Sequence, residues 1–255
     1  MRVVIVGAGN VATSLAVALH EAHHTILQVY SRTSRSADML AQRVGAPAVT
    51  DLHRLDPHAD IYIISITDSA LTTLDYSAFP PQALVVHTAG SIPMDVIPLP
   101  RRGVLYPMQT FSRQRVISFA DIPLFVEATT EDDTQLLFRL ASTVSINNKV
   151  YRLSSADRLY LHLSAVFCSN FVNHCYAISE DILRQHGNLP FSVMLPLIDE
   201  VAAKVHSVSP HEAQTGPAIR HDEVVIRHHQ ALLADHPDLQ QIYTILSDSI
   251  QKIAN

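Results

Sequence analysis

Short runs of apolar residues alternate with helical patterns through the first half of the chain. The runs are nearly continuous in valine and isoleucine, which is typical of strands covered on both faces of a parallel sheet. The predicted strands are 3–6, 25–30, 61–66, 83–87, 103–107 and 123–128. Segments 11–23 and 34–44 between them repeat apolar residues at helical spacing. The pattern predicts an α/β domain with a doubly wound, mostly parallel sheet.

The pattern changes after residue 149. From Ser154 onward we find no convincing strand, and glycine or proline breaks separate four helical stretches. These stretches are 156–186, 190–206, 221–234 and 237–253. We therefore expect an α/β domain over residues 1–152 and an all-helical domain over residues 153–255.

The turn after the first predicted strand has the pattern G-x-G-x-x-G/A. Gly7 would make the tight turn, Gly9 would let the backbone approach a pyrophosphate, and Ala12 would let the helix pack on the strand. The helix that begins near Asn10 and Val11 points its free N–H groups and its dipole at such phosphates. A strand before the turn and a helix after it favour a dinucleotide site over a turn without ligand.

The residues after the second predicted strand indicate which dinucleotide binds. NAD-binding proteins usually carry an acidic residue here for the ribose 2′-hydroxyl, but no acid lies between Glu21 and Asp38. Arg32 is suited to pair with a 2′-phosphate, and Ser31 and Thr33 supply hydroxyl groups. The alternative is a solvated arginine in a surface loop. We expect NADP rather than NAD.

Further polar residues follow the other predicted strands, at the sheet edge where ligands bind in this class of fold. They are Ser65, Thr67, Asp68, His87, Thr88, Gly90 and Ser91, with Gln109 later in the chain. We expect Thr88, Gly90 and Ser91 to bring backbone and hydroxyl groups near the nicotinamide end of a cofactor. For Asp68 and His87, turn formation or capping is an equal alternative.

The helical stretch 156–186 is apolar on most sides, which predicts a buried helix central to its domain. Its polar residues His162, Ser169 and Asn173 fall within roughly 40° of one another, with Asn170 at the edge of that stripe. Such groups need partners in neighbouring helices or subunits, or a ligand. If the stripe faces a nicotinamide, His162 is the natural general acid or base, and Asn170 or Asn173 would orient the substrate atom.

A third candidate lies at Thr215-Gly216-Pro217, which breaks the chain before a predicted helix. The amides of this segment and Arg220 could receive an anion, although a plain connection between helices is equally plausible.

Composition and charge exclude several classes of protein. The 255 residues carry a net charge of −6, which argues against nucleic acid as the main partner. No apolar run reaches the roughly 20 residues of a membrane span, and a strand pattern from residue 2 leaves no room for a signal peptide. Cys168 and Cys175 are interpreted as buried thiols in a reducing compartment. We expect a cytoplasmic protein without a metal site, because the histidines lack zinc-site spacing.

Six stretches of the chain together resemble the Rossmann-like proteins with a DUF2520 C-terminal domain. The stretches are GAGNVA, SRTSRSA, HTAGSIP, YPMQTF, HLSAVFCSNFVN and TGPAIRHD. That family lies in the 6-phosphogluconate dehydrogenase-like group, near pyrroline-5-carboxylate reductase and ketopantoate reductase. The resemblance implies an NADP-binding N-terminal domain and a helical domain used in dimerisation and in closing the site.

One residue departs from the related enzymes. β-Hydroxyacid dehydrogenases and ketopantoate reductase carry a catalytic lysine on the corresponding helix, where this chain has His162 and no lysine. We expect an NADP-dependent oxidoreductase that moves a hydride to or from a small C=O or C=N substrate bound between two domains, in a homodimer formed through the helical domain. The alternative is an NADP(H) sensor or scaffold without catalysis.

Overall fold

The computed structural model describes residues 1–112 and 117–253. The chain divides into two compact units, Met1–His174 and a second unit that begins at Cys175. By its contacts, the helix that starts at Ser155 belongs to the first unit. The domain boundary after residue 152, which rests on the change of sequence pattern, stays a prediction.

The first unit is built on one eight-stranded sheet with the order β3-β2-β1-β4-β5-β6-β7-β8. Its strands are β1 Arg2–Val6, β2 Thr25–Tyr30, β3 Ala48–Val49, β4 Ile61–Ile64, β5 Val85–His87, β6 Arg102–Pro107, β7 Leu124–Ala128 and β8 Val150–Arg152. All neighbouring strands run parallel except β6 and β7, which run antiparallel. The order of the first six strands is that of a Rossmann fold, so the prediction of a doubly wound, mostly parallel sheet is confirmed.

Nine α-helices accompany the sheet or follow it in the described residues. They are α1 Asn10–Glu21, α2 Ser34–Arg43, α3 Asp68–Leu71, α4 Glu131–Val144, α5 Ser155–Ala165, α6 Val172–His186, α7 Leu195–Lys204, α8 Glu223–Leu232 and α9 Pro237–Ile253. Sequence reasoning missed β3, β8, the four-residue α3 and α4. The two strands are too short to form an apolar run, whereas α4 carried a usable signal, because Thr130 caps it by accepting from the amide of Asp133.

Both faces of the sheet are covered, as the continuous apolar runs predict. Val3 and Ile5 pack into one hydrophobic cluster with residues of α1, α2 and α4. Val4 and Val6, which point to the opposite face, pack into a second cluster with Tyr62 and other residues. The sheet is therefore a rigid platform, and the turns at its carboxyl edge are held in fixed positions.

The long helical stretch differs from its prediction in two ways. Residues Val166–Phe171 form a π-helical segment between α5 and α6. The stretch is also not buried, since Arg158 is the one buried residue of α5, and Leu163 and Phe167 are more than half exposed. Cys168 and Cys175 are exposed as well, so their predicted burial is wrong. The apolar pattern indicates surface that needs covering, and packing within this chain leaves much of it uncovered.

The described residues of the second unit form helices joined by turns and loops and include no strand. Polar contacts join α8 and α9, where His229 Nδ1 lies 2.9 Å from Tyr243 Oη and Gln230 donates to Thr244 Oγ1 at 2.9 Å. Over residues 1–112 and 117–253, no helix combines the length and the apolar character needed to cross a membrane.

Candidate functional site

The glycine turn between β1 and α1 lies where the strand order reverses, the place at which ligands bind in open α/β sheets. Gly7 has φ +123°, and a Cβ at this position would overlap the carbonyl oxygen of Ser65 at the end of β4. The amide of Gly7 donates to the carbonyl of Tyr30 at 2.8 Å. Close packing of three strand ends therefore requires a glycine at position 7, with or without a ligand.

Gly9 has a different environment, because a Cβ built there meets no atom of residues 1–112 or 117–253 within 4 Å. The amides of the first turn of α1, at Asn10, Val11 and Ala12, have no acceptor inside the helix. The N-cap residue is Gly9, which has no side chain to cap this terminus, and the first turn contains no acid. Open space above an uncapped helix N-terminus fits the pyrophosphate of a dinucleotide.

Two of these residues also have structural contacts. The Asn10 side-chain amide donates to the carbonyl of Phe111 at 3.0 Å, which joins the glycine turn to the loop after β6. Ala12 is buried in the core, and its small size lets α1 pack closely on the sheet.

The residues after β2 form a second uncapped helix N-terminus. The backbone amide of Ser31 donates to Val49 at 3.2 Å, while Arg32 and Thr33 are exposed. Thr33 is the N-cap residue of α2, but its side chain makes no capping hydrogen bond, and the first turn contains no acid. An exposed guanidinium beside an uncapped helix end suits a phosphate group.

The structure brings several polar residues together after β4 and β5. Thr88 donates from Oγ1 to Ser65 Oγ at 3.0 Å, and both residues are buried. Ser91 donates to Asp68 Oδ2 at 2.5 Å. Thr67 is exposed as the N-cap residue of α3. The exposed Gln109 accepts from its neighbour's amide and takes no part in this group.

His87 has the turn-forming role that was one of its two predicted alternatives. Its Nδ1 accepts from the amide of Ala89 at 3.1 Å, and its Nε2 donates to the carbonyl of Pro93 at 3.3 Å. Burial, and then the positive charge of Arg158, lower the pKa of His87 to about 4. A neutral His87 therefore braces the turn that contains Gly90 and Ser91.

His162 reaches this turn from α5. Its Nδ1 lies 3.1 Å from Tyr106 Oη, and the two rings meet edge to face with centroids 6.0 Å apart. A Cβ on Gly90 would lie 2.5 Å from His162 Nδ1. The glycine therefore permits the approach of the histidine, and a titratable ring lies at the carboxyl edge of the sheet.

Arg158, which the sequence analysis did not identify, links α5 to β7 and to the turn after β5. Its side chain is 1% exposed and pairs with Glu127 Oε2 of β7 at 2.8 Å. It also donates to the carbonyl of Ile92, in the turn after β5, at 2.6 Å. Arg158 lies four residues before His162 and therefore on the same helix face. The sequence did contain a signal for this role, since a single arginine four residues before His162 in an apolar helix needs a buried partner.

The remaining polar residues of the predicted stripe are not arranged as ideal α-helical geometry requires. Ser169 and Asn170 belong to the π-helical segment, whose i→i+5 hydrogen bonds change the angle between residues on either side. Asn170 and Asn173 are exposed. No hydrogen bond within the described part of the chain joins either asparagine to His162. Such π segments often occur at functional sites.

The segment at Thr215-Gly216-Pro217 precedes α8, and whether it holds an anion stays a prediction. Asp222 caps α8 by accepting from the amide of Val225 at 3.2 Å, so a carboxylate already occupies that helix end. Arg220 is exposed. Across residues 1–112 and 117–253, no group of three or more His, Cys, Asp or Glu side chains is placed to hold a metal ion.

Comparisons with known proteins agree with this architecture. A model of a Rossmann-like domain matches residues 1–110, and the model described as Domain of unknown function (DUF2520) matches residues 122–250. A crystal structure from Bacteroides fragilis, of a "putative NADP oxidoreductase", is 51% identical over 98% of both chains, with a TM-score of 0.92. No curated protein sequence gives a significant match.

Two more distant structures share the fold alone. A protein from Thermotoga maritima is 18% identical over 99% of both chains, with a TM-score of 0.81. A reductive aminase from Aspergillus terreus in complex with NADPH and ethyl levulinate is 14% identical over 99% of this chain and 96% of that one, with a TM-score of 0.72. With two matching models and a full-length relative at 51% identity, the chain belongs to the DUF2520 family of Rossmann-like proteins.

Proposed function

We propose that the chain is an NADP-dependent oxidoreductase that transfers a hydride to or from a small C=O or C=N substrate. The observation that carries this proposal is the position of His162, whose ring lies against Gly90 and Tyr106 at the carboxyl edge of a Rossmann sheet. The relative from Bacteroides fragilis, named for NADP oxidoreduction, supports the same class of reaction.

In the proposed reaction the cofactor carries the hydride, and residues of the protein bind the cofactor, orient the substrate and transfer the proton. A bound nicotinamide supplies or accepts the hydride. Gly9 and the first turn of α1 bind the pyrophosphate, and Ser65, Thr88 and Gly90 shape the edge beside it. His162 donates or accepts the proton, while Asn170 or Asn173 orients the polar atom of the substrate.

The competing function is an NADP(H) sensor or scaffold. It predicts tight cofactor binding with no turnover, whereas an oxidoreductase consumes NADPH. We would test the purified protein against small ketones, aldehydes and cyclic imines, following NADPH absorbance. Turnover with any of them supports the enzyme, and binding without turnover across the whole panel supports the sensor.

Arg32 is expected to select NADP over NAD. Replacement by alanine should raise the Kd for NADPH about 10- to 100-fold, because a charge-assisted bond to the 2′-phosphate is lost. The Kd for NADH, which has no such phosphate, should stay within about twofold. Isothermal titration calorimetry with both cofactors measures the two values. Arg139→Ala, which removes an exposed arginine from α4, is the matched control. If Arg32→Ala weakens the binding of NADPH and NADH equally, the role assigned to Arg32 is wrong.

We also propose that two copies of the chain associate through the helical region. No residue of α7 is buried, and its Leu197 and Val201 are 60% and 57% exposed. An exposed apolar helix face marks an interaction surface, and a second copy of the chain is the occupant that we propose. Light scattering should give about twice the chain mass of 28.2 kDa. Leu197→Glu should shift the protein towards monomer, while Met39→Glu on α2 should not, and a monomeric parent protein would refute the proposal.

A further inference from the structure

Tyr106 contacts the proposed proton donor directly. It lies near the carboxyl end of β6, and its hydroxyl oxygen is 3.1 Å from His162 Nδ1 across 56 residues of chain. We propose that Tyr106 is a positioning residue that binds Nδ1 of His162, so that Nε2 is the atom that exchanges a proton with the substrate. This inference rests on the proposed function and names the reacting atom within it.

The hydroxyl of Tyr106 can serve both charge states of the histidine. Burial raises the pKa of Tyr106, an effect that the neighbouring charge of Arg158 only partly offsets, so the phenol keeps its proton. The hydroxyl donates to Nδ1 of a neutral imidazole, which then carries its hydrogen on Nε2. When the ring is protonated, Nδ1–H donates to the phenol oxygen instead. A carboxylate in this place would favour the charged ring alone.

Neighbouring groups hold the pair in place. A Cβ at Gly90 would lie 2.5 Å from His162 Nδ1 and 3.0 Å from Tyr106 Cε2, so both rings close around this glycine. Phe125 on β7 packs against the ring of Tyr106, with the two ring centroids 6.3 Å apart. Arg158, whose charge acts on Tyr106, is itself held by its ion pair with Glu127 at 2.8 Å.

The assignment fixes where the proton goes. In the reducing direction, a hydride forms a new C–H bond at the carbon of the C=N or C=O group. The Nε2–H bond of the His162 imidazolium breaks, and its proton forms the new N–H or O–H bond. The ring is then neutral with its remaining hydrogen on Nδ1, which donates to Tyr106, and Nε2 takes up a proton from solvent before the next reduction. NADPH is the reductant, and it is oxidised to NADP⁺. Nδ1 remains bonded to Tyr106 throughout, so the ring does not need to turn.

The first test is independent of turnover. Nitrogen-15 NMR of the histidine rings, with His162 assigned by its loss in His162→Gln, reports which nitrogen carries hydrogen. We expect the parent protein to hold His162 as the Nε2–H form, and Tyr106→Phe to give a mixture of both forms. A parent protein with hydrogen on Nδ1, or a spectrum unchanged by Tyr106→Phe, overturns the proposal.

The second test uses kinetics and a matched variant. Tyr106→Phe should lower kcat about 3- to 10-fold, the effect of one lost hydrogen bond, and should shift the pH at which kcat/KM falls while KM for NADPH stays unchanged. Tyr62→Phe removes another buried hydroxyl, which donates to the carbonyl of Asp56 at 2.6 Å, and should change neither quantity. A pH profile that does not shift overturns the positioning role. If the parent protein reduces nothing, the proposed function fails, and the NMR result alone decides the pairing.

Discussion

Replacing His162 by alanine is expected to lower kcat about 100- to 10,000-fold, the usual contribution of a positioned general acid or base. The Kd for NADPH should change by less than about twofold, because the residues proposed to bind phosphates lie at the N-termini of α1 and α2. Steady-state oxidation of NADPH measures the first effect, and calorimetric titration measures the second. This separation of turnover from binding distinguishes a proton donor from a residue that holds the cofactor.

Two further variants complete the experiment. His162→Gln keeps most of the volume of the side chain but cannot act as an acid near neutral pH, so it should be nearly as inactive as the alanine variant. His20→Ala removes an exposed histidine at the end of α1 and should leave both turnover and binding unchanged. Full activity in His162→Ala would refute the assignment of His162 as the proton donor.

The sequence was sufficient to predict six of the eight strands and the glycine turn, because these leave local signals. Val3 to Val6 form an apolar run that only a doubly covered strand requires, and the glycines follow directly in the chain. The strand order could also be anticipated, since a G-x-G-x-x-A turn in repeated βαβ units is typical of one topology. Local pattern and tertiary structure agree in this half of the chain.

The surroundings of His162 could not be predicted in the same way. Tyr106 lies on β6 and Gly90 in the turn after β5. Which of the polar residues at the sheet edge would meet the helix depends on packing over long separations. The buried Arg158 shows the same limit, because its ion pair with Glu127 spans 31 residues. A periodicity calculation also assumes a regular α-helix, and the π-helical segment from Val166 to Phe171 breaks that assumption.

The exposed helices show a different limit. An apolar pattern such as that of α7 indicates surface that must be covered, but it does not state whether the same chain or a second copy covers it. For this reason the prediction that the helical stretch 156–186 is buried was wrong: within a single chain, much of its apolar surface is exposed. The same pattern now supports the proposal of a homodimer.

The two glycines of the turn are expected to fail in opposite ways when each is replaced by alanine. Gly7→Ala should lower the free energy of unfolding by about 2–5 kcal/mol, because its φ of +123° is strained for alanine and the new Cβ would overlap Ser65. Thermal unfolding should then shift down by about 5–20 °C. Gly9→Ala should change stability by less than about 0.5 kcal/mol, since the added methyl meets no atom of the described residues within 4 Å.

Cofactor binding also distinguishes the two variants: Gly9→Ala, the variant with unchanged stability, is the one expected to lose affinity for NADPH. The methyl group of Gly9→Ala would occupy the space proposed for the pyrophosphate, so the Kd for NADPH should rise about 10-fold or more. Each variant is the control for the other, because the chemical change is identical and the positions are two residues apart. If Gly9→Ala binds NADPH as tightly as the parent protein, the dinucleotide does not lie over this turn. The glycine pattern would then be explained by the packing of Gly7 against the end of β4 alone.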